Sequence, residues 1–395
     1  MKNLDIDPFA DHWLRDPYSN FASLYEAGGI FFMPRYDCYG MARHANVRST
    51  LRDWQTFISS RGVGLEPIAD PSNHWREPSL LLETDPPLHT DARGIVSRVL
   101  NATALKGLRL RWREKAGQLI GNLVGRGSFD AIPEIAEAFP LSVFGDAVGL
   151  PPTDRRKLIE LGNLAFESVG PRTPRVVDVF AGAPEIIAWS DRACRRESLA
   201  PSGFGAQIFD AADEGRITDR QAQLLVRSLL SAGVDTTVSG LGAALHAFAA
   251  NPEQWAILRQ RPELLKTSLD EVLRWDSVVQ CFFRTTSRIV DVEGEEVPPE
   301  SKIMLFFAAA NRDPKRWTDA DRFDITRRDP GHVGFGAGIH ACVGQMVARL
   351  ELEVVFEVLL DHVEAIELTG PINRRLNNSI HPIATLPIRL IKRAA

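Results

Sequence analysis

One segment near the C-terminus restricts this chain more than any other. Phe335-Gly336-Ala337-Gly338-Ile339-His340-Ala341-Cys342-Val343-Gly344 is a glycine-rich loop that delivers a cysteine to the start of an amphipathic pattern over 343–362. Glycine lacks a Cβ, so the backbone can approach a flat ligand closely. A thiolate at a helix start meets free N–H groups and the positive end of the helix dipole. Those are the needs of a sulfur-ligated haem iron. Three other chemistries fit less well. Gly336-x-Gly338-x-x-Ala341 has a dinucleotide-like spacing, but that fingerprint follows an apolar strand opening a βαβ unit, and this loop follows the polar stretch 326–331. Cys342 and His340 lie two apart beside glycines, which does not bring a nucleophile and its base together. Zinc would need two more ligands, and only His332 is close by.

The rest of the chain supplies a large helical core. Of 395 residues 44% are hydrophobic and 25% charged, which excludes a disordered or fibrous chain. Helical periodicity marks 104–124, 153–168, 219–250, 262–275 and 343–362; strand-like patches are short, at 29–42, 284–293, 302–306 and 384–391. No linker or repeat divides the chain, so one domain over 1–395 is expected. The four cysteines form no CxxC pair, which fits a reducing compartment. The opening MKNLDIDPFADHW carries charges and a proline where a secretory or membrane segment needs an apolar run, so the expected location is cytoplasmic. A net charge of -5 favours neither nucleic acid nor an anionic membrane. A basic cluster does run from Arg93 to Lys115, including Arg98, Lys106, Arg109, Arg111 and Arg113.

The 219–250 pattern would give a helix roughly 40 Å long over 222–250. Arg227, Asp235 and His246 interrupt its apolar character, so it reads as a helix through the core rather than the bilayer. Gly233 costs such a helix about 1 kcal/mol against Ala, and Thr236 and Thr237 are poor helix formers, so the helix is weakened where a ligand can approach. A carboxylate and a hydroxyl side by side, Asp235 and Thr236, can relay a proton. The alternative is a hydroxyl bonded back within the helix and an Asp held in a salt bridge. Glu271-Val272-Leu273-Arg274 has the spacing of an i,i+3 ion pair, common on helices.

Taken together, the Cys342 loop, Ala232-Gly233-Val234-Asp235-Thr236-Thr237, Glu271-x-x-Arg274, Asn311-Arg312-Asp313-Pro314 and Arg322-Phe323 resemble, in this order, the motifs of the cytochrome P450 family over the whole chain. The resemblance implies a mainly α fold with small β-sheets, with haem b (iron protoporphyrin IX) buried between the long central helix and the cysteine loop. Cys342 would be the iron ligand, with Phe335, Gly336 and Gly344 against the cofactor. His89, Arg93, Arg284 and His340 would hold the propionates, Asp235 and Thr236 would steer protons during O2 activation, and Glu271 with Arg274 would support the loop. It also implies a monooxygenase whose NAD(P)H-derived electrons arrive through a [2Fe-2S] ferredoxin and a ferredoxin reductase, with the basic cluster as the docking face. A haem redox or gas-sensing protein would keep Cys342 but has no need of the Asp235–Thr236 pair, and a peroxygenase tends to replace it.

Four stretches, 59–65, 75–80, 225–231 and 282–286, look closest to bacterial members that oxidise para-substituted benzoates, notably by O-demethylating 4-methoxybenzoate. Ser228 and Ser231 fall on one helix face, one and two turns before Asp235. With Arg76 and Ser79 they would hold a carboxylate, whereas Arg227 points elsewhere on the helical wheel and would give only indirect support. Leu82, Phe166, Val279 and Phe282 would wall the aromatic ring. Val169 stands where such relatives tend to have an aromatic residue, implying a wider pocket. Another small apolar substrate, such as a terpenoid, is the alternative, as is an Arg76 that is merely solvated with serines that merely ease packing. A monomer is the default.

Overall fold

The computed structural model describes residues 1–68, 75–328 and 331–394. Some of its helices begin where a side chain satisfies the first free amides. Thr218 accepts from the Gln221 amide while the Gln221 side chain accepts from the Thr218 amide, a reciprocal cap that opens the Asp219–Gly233 helix. Asn101 accepts from the amides of Thr103 and Ala104 and opens Ala102–Gly121. At the other end of Ala138–Val148, Gly149 takes a left-handed φ of 96° and closes the helix.

The expected continuous helix over 219–250 is two helices, Asp219–Gly233 and Asp235–Ala250, broken at Val234. The break has a local cause. The hydroxyls of Thr236, Thr237 and Ser239 donate to the carbonyls of Ala232, Gly233 and Asp235, competing with helical amides. Gly233 is required there because an added Cβ would lie 2.4 Å from the Phe144 ring. Beyond the break, all of Asp235–Ala250 except Thr236, His246 and Ala250 is buried, which makes it the axis of the main core cluster. Gln345–His362 packs along Ala102–Gly121 and against Leu265–Trp275.

Three other helices begin later than the pattern suggests, Lys157–Glu167, Leu265–Trp275 after a short 3-10 turn at Pro262–Leu264, and Gln345–His362, whereas the 104–124 pattern begins and ends earlier, as Ala102–Gly121. The strand patches also resolve into shorter pieces. The 29–42 patch is Phe31–Met33 and Cys38–Met41, parted by a turn beginning at Pro34, whose ring cannot donate to a ladder. The 284–293 patch is Cys281–Thr286 and Val290–Val292, and 384–391 is Ile383–Thr385 and Pro387–Lys392. The largest sheet orders its strands Lys2–Asn3, Phe31–Met33, Cys38–Met41, Lys302–Phe306, Cys281–Thr286 and Phe57–Ile58. Within it Cys281–Thr286 pairs antiparallel with Lys302–Phe306, with Arg284 opposite Ile303, which holds Arg284 at a fixed point beside the helical core. Among the described residues, no helix is long and apolar enough to cross a membrane.

Candidate active site

Cys342 is held by its own loop. Its amide donates to the Phe335 carbonyl at 2.8 Å, Gly336 donates to Val333 at 2.8 Å, and Val333 donates to the Asn311 side chain at 2.7 Å. Gly336 and Gly338 both take φ of 70°, and a Cβ on Gly338 would sit 2.4 Å from the Leu51 carbonyl, so this turn needs glycine. Arg349, from the helix that follows, lays its guanidinium over the Phe335 ring at 4.4 Å and pairs with Asp270 at 2.9 Å.

Behind the loop, Glu271 and Arg274 form a fully buried pair at 2.7 and 2.9 Å. Arg274 spends its remaining N–H groups on the carbonyls of Asn311, Ala320 and Arg322. Glu271 also accepts from the Asp324 amide and Arg327. The pair thus ties the 311–327 segment to helix Leu265–Trp275, and Asn311 passes that order on to the cysteine loop.

Cys342 borders a cavity of about 760 Å³, accessible from within it though enclosed by protein. The expectation that helix amides would favour the thiolate is met only in part. The amides of Gly344 and Gln345 and the charges of Arg93 and Arg349 pull the thiol pKa down, but burial outweighs them and raises it. A cationic metal at the sulfur is what would displace the proton.

The cavity's donor set fits an iron porphyrin with two carboxylates. Arg284 is 4% exposed, borders the cavity, gives one hydrogen bond to the Phe283 carbonyl and has no ion-pair partner among the described residues; burial lowers its pKa to about 10. A buried cation in that state calls for an anion. His340 also borders the cavity, with Nδ1 on the Leu81 carbonyl and Nε2 buried without a hydrogen bond. Among the described residues no cluster of three or more His, Cys, Asp or Glu could hold a metal ion, so the donor chemistry is that of one sulfur ligand and peripheral cations.

Two of the expected propionate ligands stand differently. His89 lies behind His340, ring centroids 4.2 Å apart, on the buried face of helix Leu88–Val99 and not on the cavity wall. Burial and the neighbouring cations push its pKa down to about 4. Arg93 does border the cavity, but its guanidinium donates to the carbonyls of Ile339 and Ala341 and so braces the cysteine loop.

Across the cavity from Cys342 lies the broken helix: Ala232, Gly233, Thr236 and Thr237 line it. The Thr236 hydroxyl is bonded back to Ala232 at 2.7 Å. Asp235 does not line the cavity. Its carboxylate is 1% exposed and held by Arg375 at 2.8 Å to both oxygens, while its Cβ packs at Gly162. Burial raises its pKa, with Arg375 opposing. This is the arrangement named above as the alternative to a relay.

Every residue singled out for substrate borders this same cavity: Arg76, Ser79, Leu82, Phe166, Val169, Ser228, Ser231, Val279 and Phe282. Ser79 and Ser228 hydroxyls lie 3.2 Å apart. Phe166 and Phe282 face each other at 6.3 Å. Arg76, however, is neither solvated nor free: it forms a two-pronged pair with Glu83 at 2.6 and 2.8 Å. Arg227, expected to point elsewhere, borders the cavity, since it lies four residues before Ser231 and shares that residue's helix face; among the described residues it bonds only to the carbonyls of Glu77 and Pro78 of the folded 75–83 loop. Sequence reasoning missed Glu83 and Arg375 and gave Arg227 only an indirect role, although an arginine inside an apolar helix was itself a signal.

The basic cluster is partly neutralised. Arg109 pairs with Glu353 at 2.9 Å and with Glu357, and Arg113 with Asp361 at 2.5 Å, because Ala102–Gly121 lies along the acidic face of Gln345–His362, while Lys115 pairs with Asp146 of Ala138–Val148 at 2.6 Å. Arg98, Lys106 and Arg111 remain exposed.

Residues 204–380 match the cytochrome P450 family. The chain is 46% identical over 391 residues to cytochrome P450 CYP199A2 of Rhodopseudomonas palustris, covering 99% of this chain and 95% of that one. It superposes on the structure of cytochrome P450 CYP109Q5 from Chondromyces apiculatus with a TM-score of 0.82 at 30% identity, covering 99% of both chains. For cytochrome P450 CREJ in complex with (4-ethylphenyl) dihydrogen phosphate, the TM-score is 0.88 at 22% identity, covering 97% of this chain and 98% of that one, a likeness of fold. A cysteine at the mouth of a helix, a buried Glu-Arg pair behind it, a broken helix opposite and a relative of this identity over nearly the full length lead to one conclusion: this chain belongs to the cytochrome P450 family.

Proposed function

We propose that this P450 oxidises small aromatic carboxylic acids, para-substituted benzoates such as 4-methoxybenzoate, by hydroxylation or O-demethylation. One observation carries the reading: a single cavity has Cys342 on one wall, apolar and aromatic side chains along its length, and the Ser79–Ser228 hydroxyl pair with Arg227 at its far end. Such a cavity suits a flat apolar molecule with an anionic group at one end. The sequence stretches that resemble para-benzoate oxidisers lie in the same walls.

Cys342 would hold haem b, with Arg284, His340 and Arg93 toward its carboxylates and His89 supporting His340. When bound, a thiolate-ligated haem supplies reductive activation of O2, placing one oxygen atom in a C–H bond while the other leaves as water. The chain's own residues orient the acid through Ser79, Ser228 and Ser231, and Leu82, Phe166, Val279 and Phe282 keep its para substituent in dry surroundings. Thr236 presents a hydroxyl at the cavity and can hold a proton-bearing water there. Asp235 serves as a proton source only by exchanging Arg375 for that water. Oxidation at a methoxy carbon gives a hemiacetal that collapses to a phenol and formaldehyde.

The working form we propose is one domain over 1–395, monomeric and cytoplasmic, reduced by a [2Fe-2S] ferredoxin that draws on NAD(P)H through its reductase. The exposed Arg98, Lys106 and Arg111 are the part of the basic cluster available to an acidic partner. The substrate reading is tested by titrating the ferric protein with 4-methoxybenzoate and with its uncharged analogue 4-methoxytoluene. A saturable low-to-high-spin shift with the acid alone is expected; no shift with either, in a protein whose ferrous-CO spectrum shows thiolate ligation, removes the benzoate assignment.

A further inference from the structure

We propose that Glu83 is a specificity-determining residue, an internal carboxylate that occupies the receptor for the substrate's carboxylate and thereby sets the affinity for aromatic acids. The proposal rests on the aromatic-acid reading above. Glu83 is 7% exposed and borders the cavity beside Ser79. One oxygen takes the Arg76 guanidinium at 2.6 Å and the Ser79 amide at 2.7 Å, and the other takes the second Arg76 nitrogen at 2.8 Å. A forked arginine, a backbone amide and a nearby hydroxyl are the donors that a bound benzoate carboxylate would seek. In this structure a carboxylate of the chain has them already.

Charge accounting gives the same answer. Arg220 at this end is matched by Glu77 and by Asp191 at 2.8 Å. Arg76 is matched by Glu83. Among the described residues Arg227 alone meets only carbonyl oxygens, so the acid finds one uncompensated cation there where the bare list of arginines promises three. Removing the Glu83 charge adds a second. The Arg76 guanidinium and the Ser79 amide hold the Glu83 carboxyl below the usual carboxylate range, so it is ionised whenever a benzoate is.

The test is a double-mutant cycle on the ferric holoenzyme using Glu83→Gln, Arg76→Gln and the double variant. Each is titrated with 4-methoxybenzoate and with 4-phenylimidazole, a neutral aromatic that binds at the iron. Acid affinity should rise about tenfold in Glu83→Gln, fall in Arg76→Gln, where Glu83 is left to repel the ligand, and return to within about threefold of wild type in the double variant. Affinity for the neutral probe should change less than about twofold throughout. Acid binding unchanged or weakened in Glu83→Gln, or changed in parallel with the neutral probe, overturns the proposal, since a residue that only braces the loop does that. If Glu83→Gln does not fold, an acid affinity in the double variant no higher than in Arg76→Gln overturns it as well. The two readings fail separately. Acid binding by Glu83→Gln alone supports the role of Glu83 and removes this acid as the wild-type substrate; no acid binding by any form removes both.

Discussion

The two walls of the cavity are built on opposite principles. On the Cys342 side a run of consecutive residues forms the site, and a buried Glu271–Arg274 pair with five further hydrogen-bonding partners fixes it. On the far side the polar groups come from the 75–83 loop and helix Asp219–Gly233, and their charges are paired in ways that a ligand can compete with. Chemistry common to a family demands one fixed geometry at the iron. Selectivity needs groups whose partners can change. The same division runs through the neighbouring pair on the broken helix: Thr236 faces the cavity, while Asp235, one residue away, is locked to Arg375.

The largest effect should follow substitution on the rigid wall. Cys342→Ala removes the sulfur ligand, so turnover should fall to zero and the ferrous-CO absorbance characteristic of thiolate ligation should vanish. Retention of that absorbance would mean that the loop is not the proximal site. Next is Glu271→Gln, which leaves Arg274 buried with a neutral partner. A loss of about 3–5 kcal/mol is expected in chemical unfolding, together with loss of haem. A variant as stable as wild type would show that the fixed wall does not depend on this pair.

Substitutions on the adjustable wall should leave folding alone and change selection. Ser79→Ala with Ser228→Ala should weaken 4-methoxybenzoate at least about tenfold while a neutral azole binds as before, since each lost hydrogen bond is worth about 0.5–1.5 kcal/mol or more to a carboxylate and about 1.4 kcal/mol is tenfold. Equal weakening of both ligands would place the serines in packing rather than recognition. Val169→Phe should exclude meta-substituted and bulkier acids severalfold while sparing the para-substituted acid, because residue 169 is buried on the pocket wall. Unchanged binding of the larger acids would put that residue outside their path.

The smallest effect belongs to the outer surface. Arg111→Glu should slow reduction by an acidic ferredoxin a few-fold at low salt and flatten its salt dependence. Arg109→Glu should act mainly on stability, because Arg109 is committed to Glu353 and Glu357.

How much was legible follows from how far apart the interacting residues lie. The cysteine loop, the Glu271–Arg274 pair and the weak point near Gly233 each fit within about one helical turn or one loop, and local spacing carries such information. The positions lining the acid end were legible as a set, yet their pairing was not. Nothing near Asp235 in sequence announces Arg375, 140 residues away. Nor does the arginine count reveal that Glu83 takes Arg76 and that the folded 75–83 loop gives Arg227 carbonyl partners. The place of His89 was open for a related reason: a histidine on helix Leu88–Val99 can face a cavity or stand behind another ring, and only packing chooses.

By itself, then, the sequence determined the mainly helical class, the family, the glycine-rich cysteine loop and its supporting ion pair, because each is written in neighbouring residues whose geometry the backbone imposes. Tertiary structure decided which charges are free. An ion pair depends on distance through space, and the pairings of Arg76 with Glu83, of Arg227 with no carboxylate among the described residues and of Asp235 with Arg375 are set by how a loop, a broken helix and a C-terminal segment meet.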